Sequence, residues 1–280
     1  MYQLAEHESF GFFQDVTDHD WLIRKQRTNE AEHHLPKFTR PERQMKTPAA
    51  WYQNNWNEDF SCLNEVAVGG MGEGHKYVCD PHRLQLSNDC LVYSVGSNGN
   101  FRFEEGLLAL APLCEIHIFD PDDYESRMTE RPVMRDHKTY YHKWGLHTSY
   151  QYNKTAVSEK FGDRFQDGAK LSQLTFKTLQ ETMKELGHDG RRIDLFKIDC
   201  EGCEWRTYRD WIFGGVDLRQ ILIEVHNYPL IGNQFFDDIH KQGYVIFHKE
   251  PNIQWGGGNC VEFSFLKLHQ DFFKASISNA

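Results

Sequence analysis

The sequence has no apolar run approaching the ~18 residues that a membrane-spanning helix requires. It has no CxxC…CxxC pair, no Cys/His cluster at zinc-finger spacing, no internal repeat and no low-complexity tract. Its first ten residues, Met1 to Phe10, lack the basic and apolar parts of a signal peptide. These absences exclude a membrane span and a finger domain, and they predict a cytoplasmic protein. Positive charge is also short: 31 Lys and Arg face 41 Asp and Glu, a formal net charge of −10. That balance argues against a nucleic acid or an anionic membrane as partner. The seven Cys are an odd, scattered set. The one CxxC, Cys200 to Cys203, is a poor redox motif, because acidic neighbours disfavour the thiolate.

What is present is aromatic. Twenty Phe, 12 Tyr and 7 Trp supply the buried area that a hydrophobic fraction of 39% would otherwise leave short. The length of 280 residues suits one large α/β domain with additions. Residues 1–50 read as an N-terminal helical arm and linker: Thr17-Asp-His-Asp20 forms a helix-start signal before Trp21, and a basic, Pro-containing stretch runs from Pro36 to Lys46. Phe12, Phe13 and Trp21 are too apolar to stay in water and are expected to dock. Residues 51–280 read as one further domain, and nothing in the chain sets an oligomeric state.

From Leu91 onward, short apolar runs alternate with helical patterns, the mark of a mostly parallel sheet covered on both faces. Strands are predicted at Leu91–Val95, Glu115–Phe119, Lys138–Lys143, Ile193–Ile198, Gln220–Val225, Tyr244–His248 and Val261–Leu268. Helices are predicted at Phe101–Leu110, Leu171–Leu186, Glu204–Trp211 and Gln234–Lys241. A Pro/Gly-rich turn, not a helix, joins the last two strands, which makes them an antiparallel hairpin. The expected fold is a seven-stranded, Rossmann-like α/β sheet with that hairpin at its C-terminal end.

The most informative stretch is Leu91-Val-Tyr-Ser-Val-Gly-Ser-Asn-Gly99, a strand entering a Gly-containing turn ahead of a helix. A second strand ends in Asp120, whose carboxylate can accept both ribose hydroxyls of an adenosine-containing cofactor. The turn reads Gly96-Ser-Asn-Gly99 without the third Gly of a pyrophosphate nest, which favours S-adenosylmethionine over a dinucleotide.

With Asp59-Phe-Ser-Cys62, His75-Lys-Tyr-Val-Cys-Asp-Pro-His82, Ile193-Asp-Leu-Phe-Lys-Ile-Asp-Cys-Glu-Gly-Cys-Glu-Trp205, Ile223-Glu-Val-His226 and Asn259-Cys-Val-Glu-Phe263, the chain resembles the eukaryotic methyltransferase-like family related to FkbM-type S-adenosylmethionine-dependent methyltransferases. The resemblance covers roughly residues 50–268. It implies that Gly96, Ser97 and Gly99 lie against the methionine part of the cofactor, that Asp120 holds the ribose, and that Lys76 and Tyr77 close over it. Trp144 and Gly145 would stand at the adenine. Two departures are clear: Cys200 and Cys203 replace small apolar residues of the usual motif, and the N-terminal anchor carried by many members does not appear here. If a native anchor precedes this sequence, the lumen of the secretory pathway replaces the cytoplasm.

Asp199 ends one strand, and Glu224 and His226, two apart, share one side of the next. Asp199 would alternatively cap the following helix, and His226 would be a satisfied core histidine. Two mechanisms fit the functional reading. In one, His226 is the general base on an acceptor hydroxyl. In the other, Asp199, Glu224 and His226 bind Mg2+ or another divalent cation that orients neighbouring hydroxyls. The three His of His137–His147 cannot converge along a strand, and His147 alone would face the site. His248, Glu250 and Asn252 belong to either a substrate-facing loop or a plain turn. The expected activity is O-methylation of a small-molecule or glycan hydroxyl. Its alternatives are a protein methyltransferase, a catalytically degenerate interaction module using Lys37 to Lys46, and an NAD-type oxidoreductase.

Overall fold

A computed structural model of the chain describes residues 3–34, 47–86, 88–148, 174–227 and 232–274. The basic segment from Lys37 to Lys46 lies outside the described residues, as do the first three residues of the helix predicted from Leu171. Among the described residues no helix is long and apolar enough to cross a membrane.

Eleven strands are described: β1 (Glu65–Val68), β2 (Lys76–Cys79), β3 (Leu91–Val95), β4 (Glu115–Phe119), β5 (Thr139–His142), β6 (Gly145–Leu146), β7 (Phe176–Lys177), β8 (Ile193–Ile198), β9 (Leu218–His226), β10 (Tyr244–Asn252) and β11 (Cys260–Lys267). Seven of them form the main sheet in the order β10-β11-β9-β8-β3-β4-β5. Neighbours from β5 to β9 are parallel, and β11 runs antiparallel to both β9 and β10. This is the expected seven-stranded sheet with a C-terminal hairpin. β10 is longer than its apolar run suggested, because Lys249, Glu250 and Asn252 extend it with polar residues, and the turn expected to be non-helical holds a short helix, Ile253–Gly256.

β3 and β8 are buried along their whole length, as central parallel strands must be. Alternate residues serve opposite faces. Leu91, Tyr93 and Val95 join one core under the helices Leu179–Glu185, Glu204–Phe213 and Gly232–Lys241, while Val92 joins a second core on the other side. The second core also takes the helix Arg102–Leu110, the β1–β2 hairpin and the N-terminal segment. Phe12, Phe13 and Trp21 dock there as expected, with Trp21 donating to Glu8 at 2.6 Å. The helix Asp18–His34 that carries Trp21 starts at the predicted cap, where Thr17 Oγ1 accepts from Asp20 N.

The helix predicted at Leu171–Leu186 is shorter than its apolar spacing implied. It spans Leu179–Glu185 and begins at a capping box in which Thr178 and Glu181 exchange hydrogen bonds. Leu174 is therefore outside it, and Phe176 and Lys177 pair instead with Gly145 and Leu146 as a short parallel sheet. Leu179 and Met183 remain on its buried face.

Three disulfides join Cys62 to Cys79, Cys90 to Cys114 and Cys200 to Cys203. Spacing cannot fix such pairings; the first ties the chain ahead of β1 to β2, and the second ties together the entries to β3 and β4. The buried N-terminal contact carries a measurable share of stability. Trp21→Ala is expected to cost about 3–5 kcal/mol, the range for truncating a large buried aromatic residue, read as a lowered midpoint in urea unfolding.

Candidate active site

The strand β3 ends where the chain must turn sharply. Gly96 adopts φ +78°, and a Cβ there would lie 1.7 Å from the Asp199 carbonyl oxygen, so no other residue fits between the ends of β3 and β8. Gly96 N donates to Phe119 O at 2.8 Å, and the buried Lys197 reaches back to Gly96 O at 2.8 Å. Asp120, at the end of β4, holds the next residues. Its Oδ2 accepts from Ser97 N (2.9 Å), Asn98 N (2.8 Å) and Ser97 Oγ (3.2 Å), while Oδ1 accepts from Asp122 N (3.0 Å).

A cavity of about 870 Å³ opens at these strand ends. It lies where the chain order reverses between β3 and β8, the position at which open α/β sheets bind ligands. Of the residues singled out from sequence, Gly96, Ser97, Asp120, Gly145 and Asp199 line it, and so does His147. Leu146, Phe119 and Phe176 add apolar lining, and Lys197, Glu201, Arg206 and the Cys200–Cys203 pair also line it.

Other predicted residues lie elsewhere. Gly99 sits against the Tyr124 ring and Arg127. Trp144 packs on Phe119 and His142, with Lys177 over its face and its Nε1 donating to Thr182. Tyr77 stacks on His248 with centroids 3.4 Å apart. Lys76 does not close over the cavity; it is buried beneath it.

That lysine organises the most charged part of the molecule. Its Nζ lies 2.7 Å from Glu262 Oε1 on β11 and 3.4 Å from Asp199 Oδ2. Burial alone would depress its pKa, but Glu262, Asp199 and Glu224 raise it above the ordinary lysine value. Burial works against the charged form of Asp199 as well, yet Lys76, Lys197 and His226 hold its carboxyl below the usual range. Glu224 and Glu262 differ: burial, reinforced by neighbouring carboxylates, pushes Glu224 up to about 7 and Glu262 up to about 8. Glu224 Oε1 also accepts from Asn252 at 3.0 Å, and Glu262 Oε2 is buried without a hydrogen-bond partner.

His226 completes the cluster. Glu204 Oε1 takes both its backbone N–H (2.9 Å) and its Nδ1 (3.1 Å), and its Nε2 lies 3.9 Å from both Asp199 and Glu224. Burial would lower its pKa, but Glu204, Asp199 and Glu224 raise it to about 10, so the ring is an imidazolium near neutral pH. The three residues predicted as a set, Asp199, Glu224 and His226, are thus brought together. Those within mutual ligating reach are Glu224, His226 and Cys260.

Sequence reasoning gave no role to Glu262, Lys197, Phe176 or Arg206. Glu262 and Lys197 left a signal, since each is a charge inside a mostly apolar strand, Cys260-Val-Glu-Phe-Ser-Phe265 and Ile193-Asp-Leu-Phe-Lys-Ile198. Such a residue is almost never buried unpaired. His248, Glu250 and Asn252 belong to β10: His248 and Glu250 pair with Glu65 and His75 on the β1–β2 side, and Asn252 reaches Glu224.

A family model described as a methyltransferase domain matches residues 3–267. No curated protein sequence matches the chain. Among solved structures, the chain is similar to the fibrillarin pre-rRNA processing protein of Methanococcus jannaschii at 8% identity, covering 73% of this chain and 82% of that one with a TM-score of 0.39. It is also similar to Aeropyrum pernix fibrillarin with natively bound S-adenosyl-L-methionine, at 11% identity, 73% and 85% coverage and a TM-score of 0.38. A putative RNA methyltransferase from Pyrococcus horikoshii shows 12% identity, 88% and 98% coverage and a TM-score of 0.35.

The raised values of His226, Glu224 and Glu262 all make the folded chain hold more protons than the unfolded one, so stability falls as pH rises. The His226 contribution is complete below its ordinary value and is lost as pH rises through about 10. The two carboxyls cost stability increasingly above their ordinary values, in full once pH passes about 7 for Glu224 and about 8 for Glu262. Urea midpoints are expected to decline from about pH 6.5 to about pH 10, above the range in which His117 and His142, pushed down to about 4 by burial, add stability as pH rises, and His226→Gln is expected to flatten the upper end of the curve. Stability that climbs with pH over the same window is the opposite outcome.

Proposed function

The chain belongs to a methyltransferase-domain family, and from that premise we propose that it transfers the methyl group of S-adenosylmethionine to a hydroxyl of a small-molecule or glycan acceptor. The observation that carries the reading is the cavity of about 870 Å³ at the strand-order reversal, a volume suited to a nucleoside-sized ligand. Its lining matches the parts of such a cofactor. Asp120 offers a carboxylate to the ribose, Leu146 and Phe176 an apolar wall to the purine, and Asp199 and Glu201 negative charge to the amino group and sulfonium. When bound, the cofactor supplies a methyl group on a positively charged sulfur, which reacts with a nucleophile held in line.

The protein's part is to hold that nucleophile and remove its proton. Glu224, with a pKa near 7, matches the working range of a general base. His226 does not, because its carboxylate neighbours keep it protonated. Glu224 does not itself line the cavity; it is the carboxyl just behind Asp199 that we assign as the proton acceptor, with the His226 cation 3.9 Å from both. A magnesium ion on Asp199, Glu224 and His226 does not suit this donor set. The Lys76 ammonium already pairs with Asp199 and Glu262, and the atoms in ligating reach include a nitrogen and a thiol, whereas magnesium prefers oxygen.

The net charge of −10 speaks against a nucleic-acid acceptor. Three disulfides support an oxidising compartment, such as the secretory-pathway lumen, over the cytoplasm.

Calorimetry tests the cofactor: S-adenosylmethionine and S-adenosylhomocysteine should bind, and NAD should not. Asp120→Ala is expected to weaken that binding by roughly 1.5–3 kcal/mol, the value of a hydrogen bond to a charged group. Binding of NAD in their place would overturn the reading. A transfer assay with labelled cofactor over sugars, catechols and peptides identifies the acceptor. On that acceptor Glu224→Gln should lower the rate about 10²–10⁴-fold with cofactor affinity unchanged, and an unaltered rate would remove Glu224 as base.

A further inference from the structure

At the opposite end of the sheet from the cavity, two histidines from different parts of the chain meet at Glu115. Glu115 and His117 are two apart on β4 and share a face of the sheet. His188, from the turn between the helix Leu179–Glu185 and β8, folds against both. His117 Nε2 lies 2.9 Å and His188 Nε2 3.4 Å from the same oxygen, Glu115 Oε1. All three of these atoms fall within 4.8 Å of one another, and both imidazoles are buried.

Every remaining polar atom of the trio has a partner. His117 Nδ1 is 2.8 Å from His142 Nε2, His188 Nδ1 is 2.7 Å from the Tyr93 hydroxyl, and Glu115 Oε2 accepts from Arg191 at 3.1 Å.

We propose that Glu115, His117 and His188 bind a zinc ion, with water in the fourth position, and that the ion clamps β4 to the turn that leads into β8. Zinc bonds of about 2.0–2.1 Å to His and carboxylate in a tetrahedron put ligand atoms roughly 3.3 Å apart. The spacings of 2.9 and 3.4 Å bracket that value. Two nitrogens and one carboxylate oxygen suit zinc and are poor ligands for calcium or magnesium.

The outer partners are those a zinc site uses to orient its ligands. With the metal bound, each ligating histidine carries its proton on Nδ1, so that His117 donates to His142 and His188 to the Tyr93 hydroxyl. Arg191 fixes the carboxylate so that one oxygen faces the metal. The site lies at the N-terminal ends of the strands and the cavity at their C-terminal ends, so the ion's part is to hold strands together and not to meet substrate.

The test uses the full chain, stripped with a chelator and titrated with Zn2+ while calorimetry and thermal unfolding are followed. One equivalent should bind and raise the melting temperature, and Co2+ in its place should give a tetrahedral absorption spectrum. His188→Ala and Glu115→Gln should lose this equivalent. His269→Ala, in the more exposed group His7, His269 and Asp271, should keep it. His142→Phe, which leaves all three ligands in place, should weaken binding about 10–100-fold and remains informative if His188→Ala does not fold. Failure of the chain to take up zinc overturns the proposal. So does an equivalent retained at full affinity in His188→Ala or His142→Phe, which would place the ion elsewhere, such as at Glu224, His226 and Cys260.

Discussion

A single buried ammonium makes the charged centre of this protein tenable. Lys76 is almost wholly enclosed, yet it stands among Asp199, Glu224 and Glu262, three carboxyls drawn from the residue after β8, from β9 and from β11. Gathering these acids out of water without a cation would cost several kcal/mol per ion. The lysine is not supplied by the sheet itself. It comes from β2, and the β1–β2 hairpin is fastened to the sheet by Gln220 on β9, whose side-chain amide bonds both N–H and C=O of Cys79, and by Ser264 on β11, which donates to Tyr77 O. The hairpin is therefore a working part of the site, although it lies outside the seven-stranded sheet.

The cation leaves an uneven result. It favours ionisation of Asp199, but Glu224 and Glu262 are buried more than they are compensated, and their pKa values move up. The same fold thus produces one carboxylate that stays charged at the cavity wall and two carboxyls raised toward neutrality behind it. Differential solvation of chemically similar groups is how one site holds both a fixed charge and a proton acceptor.

Legibility in the sequence followed how local each cause was. The main strands could be read because central parallel strands are continuous apolar runs, and the turn at Gly96 could be read because backbone crowding there admits only glycine. Asp120 and Asp199 were legible as acids at strand ends. The β1–β2 hairpin was not, since two four-residue strands flank a long Gly-rich turn and carry little pattern. Nor was the inward turn of Lys76, whose partners lie 123 and 186 residues away. The helix from Leu171 was overextended because apolar spacing cannot show where a helix starts, whereas the Thr178–Glu181 capping box does. The nearness of His226 to Asp199 and Glu224 was legible from their places at neighbouring strand ends, but its protonation was not, because Glu204 approaches it from a separate helix.

The Cys200–Cys203 bridge turns an argument from the sequence around. Acidic neighbours disfavour a thiolate, which spoke against a redox role for this CxxC. A disulfide carries no charge, so those same acids do nothing to oppose a permanent bridge. The bridged turn places Glu201 at φ +55° and Gly202 at φ +101°. Gly202 N then donates to Glu204 Oε2, and the other oxygen of Glu204 grips the backbone and ring of His226. From Asp199 through the bridge to Glu204 and on to His226, the site's charges are connected by one short, covalently closed segment. Cysteines at these two positions do more than replace small apolar residues of similar size: they remove freedom from the loop whose carboxylates set the protonation of the histidine.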